Sequence, residues 1–376
     1  MSMRSLLMGV AFVALSAGVA TTADAAKVKR LPTDAGEAQV EALLRNAQPM
    51  RRMLDRLPRE AVAPVEAIVG PVRAQPRIVP GQDGPRDTRA VAPEDAAGGG
   101  ITPEDVGSSG FNSIFHYADK LVDTAQTRTP NYRPTGWFTF VASSGGSFRC
   151  TASLISRSIA VTAGHCVHRG GGGSSGWIRS GTFTPAFNSG AAPYGSANAD
   201  TVVTTNGWFN VGALDAGYDV ALIVLGKRIG TTQEIGAATG WYGFCTANCL
   251  QPFWYNTQLG YPANYYSGQR MTESQHLERS DTRDYTYGTG MEGGSSGGPH
   301  IANHGALQST AGSTGQWPFR NIVFAATSWG YIDRTIKIGG ASTLSGPNNS
   351  NNFVAMYNIA CNRARALHGA GSCSLL

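Results

Sequence analysis

Glycine sets the strongest limit on how this chain can fold. The sequence carries 48 glycines, and from Tyr132 onward they break it, with Asn and Ser clusters, into short apolar runs. Gly costs helices about 1 kcal/mol relative to Ala, so a chain punctuated this way forms few long helices. Short β-rich runs bounded by turn residues read instead as strands. Candidates are Trp137–Val141, Ser158–Thr162, Val220–Leu225, Ile322–Thr327 and Tyr331–Ile332. Many short strands with turn signals indicate an all-β sandwich or barrel. A single helix is expected near the end, over 351–367, with Ser350 or Asn351 as its N-cap and Gly369 as its stop. No solenoid period repeats along the chain.

The first 110 residues have a different character. Arg4 followed by the apolar run Leu6–Ala20 and then Ala23-Asp24-Ala25 has the form of an export signal, 1–25, rather than a membrane span. Residues 26–110 lack cysteine and are rich in Pro, Arg, Ala and acidic residues, ending in Gly98-Gly99-Gly100. That composition reads as a pro-region or linker, partly disordered. Within it, Glu37–Leu57 shows helical spacing of apolar residues, interrupted by Pro49. The formal net charge of +5 is scattered, with no Lys/Arg cluster and no basic helix, so nothing in it marks a nucleic-acid binder.

All six cysteines, Cys150, Cys166, Cys245, Cys249, Cys361 and Cys373, follow the export signal. An even count in an exported chain points to disulfides. Proximity favours 150–166, 245–249 and 361–373 among the many possible pairings.

Three segments carry chemistry: Thr162-Ala163-Gly164-His165-Cys166, Tyr218-Asp219-Val220-Ala221-Leu222 and Gly293-Gly294-Ser295-Ser296-Gly297-Gly298-Pro299. A serine hydroxyl is a poor nucleophile at neutral pH and needs an adjacent base, and histidine is the side chain suited to take and return its proton. The imidazole needs a carboxylate to hold its tautomer and to stabilise the imidazolium that forms. Glycines around Ser296 let the main chain turn so that the N–H groups of Gly294 and Ser296 point at one spot, as an oxyanion requires.

Rival readings of the same residues are weaker. Asp215 could be the orienting acid, but Asp219 directly precedes the apolar strand. His165, His168 and Cys166 suggest zinc, but a fourth ligand is missing and Cys166 is better used in a disulfide. His300 and His304 share an i, i+4 spacing without the Glu of a zincin and read as loop residues. Gly294-Ser295-Ser296-Gly297-Gly298 fits a G-x-S-x-G nucleophile elbow, but Gly297-Gly298-Pro299 is poor sequence for the helix that fold needs next. A non-catalytic binding module on the same fold is opposed by the presence of all three candidate catalytic residues.

In the order His, Asp, Ser, the three segments resemble the signature blocks of the trypsin/chymotrypsin superfamily of serine proteases. Within it they are closest in pattern to the bacterial secreted branch that includes glutamyl endopeptidases. Ser328-Trp329-Gly330 resembles a fourth block, which lines the substrate cleft and pairs with the substrate main chain. The resemblance covers roughly 130–376. It implies two antiparallel Greek-key β-barrels, about 130–235 and 236–350, followed by the C-terminal helix. His165 would be the base, Asp219 the orienting acid and Ser296 the nucleophile of an endopeptidase, with Gly294 and Ser296 forming the oxyanion hole. It also implies a Cys150–Cys166 disulfide and a hydrogen bond from Ser328 near Asp219. The substrates would be proteins or peptides, met outside the cell or in the periplasm by a monomer with no metal, no cofactor and no lasting membrane association. By position, Gly290 and Met291 would form the base of the primary pocket, and Thr327, Ser328, Trp329 and Gly330 its wall.

Two departures stand out. The aspartate that usually precedes the family's nucleophile, and pairs with a newly cut N-terminal amine, is Ser295 here. Thr327 replaces the histidine that glutamyl-specific relatives carry. With no acid at the pocket base, a small or apolar P1 side chain is expected.

Overall fold

The computed structural model describes residues 26–33, 36–50, 53–54, 77–85, 117–214, 217–247, 249, 256–276, 278–280, 284–305, 319–331, 334–345 and 353–376. The export signal, Gly98–Gly100, Asp215, Ile332 and the expected helix cap at Ser350 or Asn351 lie outside them.

The described strands of the larger sheets are β1 (Ala26–Arg30), β2 (Tyr117–Leu121), β3 (Thr135–Val141), β4 (Ser147–Leu154), β5 (Ile159–Thr162), β6 (Ser180–Pro185), β7 (Ala197–Thr205), β8 (Ala221–Arg228), β9 (Asn256–Gly260), β10 (Thr272–His276), β11 (Asp284–Gly288), β12 (Pro299–Ala302), β13 (Ile322–Tyr331) and β14 (Ile338–Thr343). In the first sheet the order β7-β8-β5-β4-β3-β6 closes on itself through a β6–β7 ladder, making an antiparallel barrel. The second sheet's main path runs β11-β14-β13-β12-β9-β10-β2, antiparallel at every step, with short parallel strands at 243–244 and 53–54 added along β13. The all-β, two-sheet architecture with one long terminal helix agrees with expectation, and the first sheet is the closed barrel.

The alternation of side chains along a strand explains the position of the core. On β8, Ala221, Ile223 and Leu225 point into the barrel, where they meet Phe138, Phe140, Ala152 and Phe183. Leu222 and Val224 point outward and are equally buried, in a cluster shared with Leu259, Val323 and the terminal helix. Both faces of the strand are covered, so it reads as an unbroken apolar run.

The terminal helix, α2 (Phe353–His368), buries Phe353, Met356, Tyr357, Ala360 and Ala364 in that outer cluster. Its Arg363 makes a two-point ion pair with Asp200 of β7, at 2.6 and 2.8 Å, and Gly369 ends it with a positive φ of 96°. The Cys150–Cys166, Cys245–Cys249 and Cys361–Cys373 disulfides all form.

The described parts of 26–110 join the sheets. β1 pairs with β7, and residues 77–79 pair with 243–247 beside the second sheet. The helical spacing over Glu37–Leu57 yields a shorter helix than the pattern suggests, α1 (Glu37–Asn46). It stops three residues before Pro49, which lacks the N–H a helix needs and disfavours helical geometry in the residue before it. Gln48–Pro49 forms a short parallel strand beside β4 instead.

Candidate active site

His165 lies in a tight turn, Gly164–Cys166, directly after β5. Two features fix that turn. Cys166 is bonded to Cys150 on β4. A side chain at Gly164 would strike the Trp208 ring at 2.8 Å and Asp219 Oδ1 at 3.0 Å, so only glycine lets the turn close over them.

Asp219 enters from the loop before β8 and is fully buried. Three donors hold its carboxylate: the His165 backbone N–H to Oδ1 at 2.7 Å, His165 Nδ1 to Oδ2 at 2.7 Å, and Ser328 Oγ to Oδ2 at 2.6 Å. A buried carboxylate is tolerated when hydrogen bonds to its charged form replace water. Because Nδ1 faces a carboxylate, the ring proton belongs on Nδ1 and the lone pair on Nε2. Nε2 is buried and has no hydrogen-bond partner among the described residues.

Ser296 sits between Gly294, at φ 102°, and Gly297, at φ 78°. Both conformations are costly for any side chain but glycine. The turn is docked on the barrel from two sides. Thr151 N–H of β4 donates to Ser296 O at 2.8 Å, and Cys166 Sγ lies 3.8 Å from the same oxygen. Gly297 packs so closely on β5 that a Cβ there would stand 2.1 Å from Thr162 Oγ1. On the other side Gly297 N–H donates to Thr327 O, and Thr327 N–H to Gly298 O, at 2.8 and 2.9 Å. Thr327 immediately precedes Ser328, which holds Asp219. The three segments read from the sequence thus meet at the seam of the two sheets.

A cleft opens beside Ser296. Gly290 and Met291 line it together with Thr327, Ser328, Trp329 and Gly330. The Thr327 hydroxyl is engaged away from the solvent: Gln258 Nε2 donates to it at 2.9 Å, and His300 Nε2 lies 3.0 Å from it. Behind Gly290 stands Asp119 of β2, whose Oδ2 accepts from Gly290 N–H at 3.0 Å and from the Tyr265 hydroxyl at 2.9 Å. Glu292, also on the cleft, pairs with Arg334 at 3.4 Å, and Ser295 Oγ donates back to Glu292 O at 2.7 Å.

Other histidines are committed elsewhere. His168 Nε2 meets Gly173 O at 2.7 Å and its Nδ1 accepts from Gly170 N–H at 3.1 Å, which leaves no lone pair for a metal. His300 is not a loop residue, as its spacing suggests, but a fully buried member of β12, because its strand is central in the second sheet. Burial, with His276 beside it, holds the His300 imidazole well below the ordinary histidine range. Burial of the ring nitrogens pushes His276 down to about 3. His304 lies in the following turn against Asn131 O at 2.9 Å. Gln258, His300 and Asp119 had no sequence signal marking them as supports of the cleft, since they come from strands far apart in the chain.

The trypsin family model matches residues 125–341. Among curated proteins, the chain is 29% identical over 166 residues to the extracellular metalloprotease of Bacillus subtilis, covering 44% of this chain and 50% of that one. It is 27% identical over 214 residues to the glutamyl endopeptidase of Bacillus licheniformis, covering 57% of this chain and 63% of that one. The chain thus spans between half and two thirds of the length of these relatives. Among solved structures, the protease Anisep from Arthrobacter nicotinovorans superposes with a TM-score of 0.48 at 24% identity, covering 61% of this chain and 95% of that one.

Proposed function

Because the chain belongs to the trypsin family, we propose that it is a secreted serine endopeptidase working through Ser296, His165 and Asp219. The observation that carries this reading is the grip on Asp219. His165 engages it through both its backbone N–H and its ring, and Ser328 closes the set from the second sheet.

Ser296 Oγ attacks the peptide carbonyl while His165 Nε2 takes its proton. Asp219 keeps the ring in the competent tautomer and stabilises the imidazolium. Backbone N–H groups of Gly294 and Ser296 receive the oxyanion. His165 then returns the proton to the leaving amine, and water, deprotonated by the same ring, clears the acyl-enzyme.

The name of the Bacillus subtilis relative raises a metal-dependent alternative. Among the described residues, the one group of three close enough to share an ion is Cys150, His165 and Cys166. Its two sulfurs are bonded to each other and supply no thiolate. The donor set does not fit a metal.

The cleft supports a small or apolar P1 side chain: Gly290, Met291 and the inward-bonded Thr327 leave it without a free charge at its base. Cleavage after Glu, as the name of the Bacillus licheniformis relative indicates for that protein, is the second reading, favoured by Arg334 and Lys337 on the cleft. A P1-varied peptide panel separates the two, since fastest cleavage after Glu or Arg sinks the apolar reading. Export is supported by the signal-like start of the sequence. No helix among the described residues is long and apolar enough to cross a membrane.

A fluorophosphonate probe tests the catalytic reading. It is expected to tag Ser296 of the secreted protein, and Ser296→Ala to abolish the tag. A folded protein that resists the probe in every form, and behaves like Ser296→Ala, would make this chain a binding module on a protease fold.

A further inference from the structure

The base of the cleft is held by a strand that lies outside the family match. β2 precedes residue 125, where the match to the trypsin family begins. It runs antiparallel to β10, with Asp119 opposite Ser274. Strand alternation turns Tyr117 and Asp119 to the buried face, while Ala118 and Lys120 are exposed. Asp119 is only 4% exposed. A carboxylate on the buried face of a strand is costly unless donors replace water.

The donors that Asp119 meets belong to the cleft. Gly290 N–H donates to its Oδ2 at 3.0 Å, and the Tyr265 hydroxyl donates to the same oxygen at 2.9 Å. Asn264 Nδ2 donates to Gly290 O at 2.9 Å, and Asn264 Oδ1 accepts from Glu292 N–H at 3.0 Å. Met291 N–H donates to Thr289 Oγ1 at 3.1 Å, and Thr289 N–H to Lys337 O at 3.0 Å. Each N–H from Thr289 to Glu292 is therefore fixed, and that of Gly290 is the one that meets a carboxylate. The space beside Gly290 is filled as well. A Cβ there would stand 2.5 Å from Asp119 Oδ2, 2.5 Å from the Tyr265 hydroxyl oxygen and 3.2 Å from the Tyr117 ring. Asp119 does not line the cleft itself. It acts through Gly290, by gripping the backbone and by occupying the volume into which that backbone would otherwise retreat.

We propose that Asp119 is a positioning residue that sets the depth of the primary pocket and thereby limits the size of the P1 side chain. The proposal rests on the reading that the cleft beside Ser296 receives that side chain. With Asp119 in place, the base at Gly290 and Met291 cannot recede. Truncating Asp119 removes the acceptor and the packing together, and leaves Gly290 N–H without its partner. The base then yields to a larger side chain. One methylene more or less in an apolar pocket changes selectivity by about 10–200-fold, so a shift of the base is measurable.

The test is the ratio of kcat/KM for two peptides that differ only at P1, Phe against Ala, in the secreted protein and in Asp119→Ala. The ratio should rise at least ~10-fold in the variant. Asp119→Asn keeps an acceptor oxygen of the same reach and should restore most of the original ratio. Tyr265→Phe, which removes one of the two donors to the carboxylate, is the second truncation, should Asp119→Ala fail to fold. It should move the ratio in the same direction. General damage to the structure lowers both peptides alike and leaves the ratio where it was. Fluorophosphonate tagging at Ser296 identifies the folded forms with a working triad. An unchanged ratio in a tagged variant overturns the role of Asp119. Absence of tagging in the secreted protein and in every folded variant instead overturns the serine-hydrolase reading on which that role depends.

Discussion

Ser328 Oγ donates a 2.6 Å hydrogen bond to the Asp219 oxygen that also faces His165 Nδ1. The bond crosses the seam of the molecule, from β13 of the second sheet to the loop before β8 of the barrel. Asp219 is thereby positioned by both halves. Ser328→Ala should lower kcat/KM by about 10-fold, the scale of one hydrogen bond to a charged group, since the His165 backbone still holds Oδ1. Asp219→Asn should cost far more, on the order of 10³–10⁴ in kcat, because an amide no longer enforces the tautomer. Steady-state kinetics on a peptide substrate distinguish the two. Equal losses would show that Ser328 does more than position the carboxylate.

Gly297 has no room for a side chain. Its φ is positive and a Cβ would meet Thr162 Oγ1 and the Thr151 carbonyl well inside contact distance. Gly297→Ala should destabilise the fold by about 2 kcal/mol or more and undock the Ser296 turn from the barrel. A denaturant melt and probe tagging measured together check this, and a stable, normally tagged variant contradicts it.

Arg363 fastens the terminal helix to the barrel through Asp200. Asp200 is nearly buried while Arg363 is about one quarter exposed, so solvent screens part of the pair. Arg363→Ala should cost about 1–3 kcal/mol, chiefly by leaving the carboxylate without its partner. Neither residue lines the cleft beside Ser296, so kcat/KM at low temperature should stay unchanged while the midpoint in urea falls.

The buried histidines predict acid sensitivity. His276 and His300 are held below the ordinary histidine range by burial. The unfolded chain therefore binds their protons first as pH falls. Their contribution to stability is complete above the unfolded value of about 6.5 and is lost progressively as pH drops toward about 3, where His276 protonates in the fold. Each contributes up to about 1.4 kcal/mol per pH unit in that window. His276→Gln should flatten the fall in Tm between pH 6 and 4. An unchanged slope would show that other groups govern acid unfolding.

How much of this was legible in the sequence depends on whether the information was local. His165 beside Cys166, Asp219 before an apolar run, and Ser296 among glycines each sit in a short segment whose residue types serve one purpose, so the segments could be read singly and then in order. The disulfides followed sequence proximity for the same reason. Helix α1 was partly legible: the spacing marked its start, and Pro49 marked its limit. The chain just beyond it was not, because the Met50 carbonyl accepts from Gly294 N–H, and backbone contacts leave no trace in side-chain identity.

The sequence by itself determined an all-β chain with a terminal helix, three disulfide pairs each close in sequence, and a His, Asp, Ser set with the glycines its turns require. Local patterning suffices for these because strand alternation and glycine's access to positive φ are properties of a few neighbouring residues. Only the tertiary structure decided that Ser328 closes on Asp219, that Gln258 and His300 hold Thr327 from behind, and that the Met50 carbonyl accepts from Gly294 N–H. Each of these contacts joins residues brought together by sheet closure and packing, and no local pattern encodes which distant strand will arrive there.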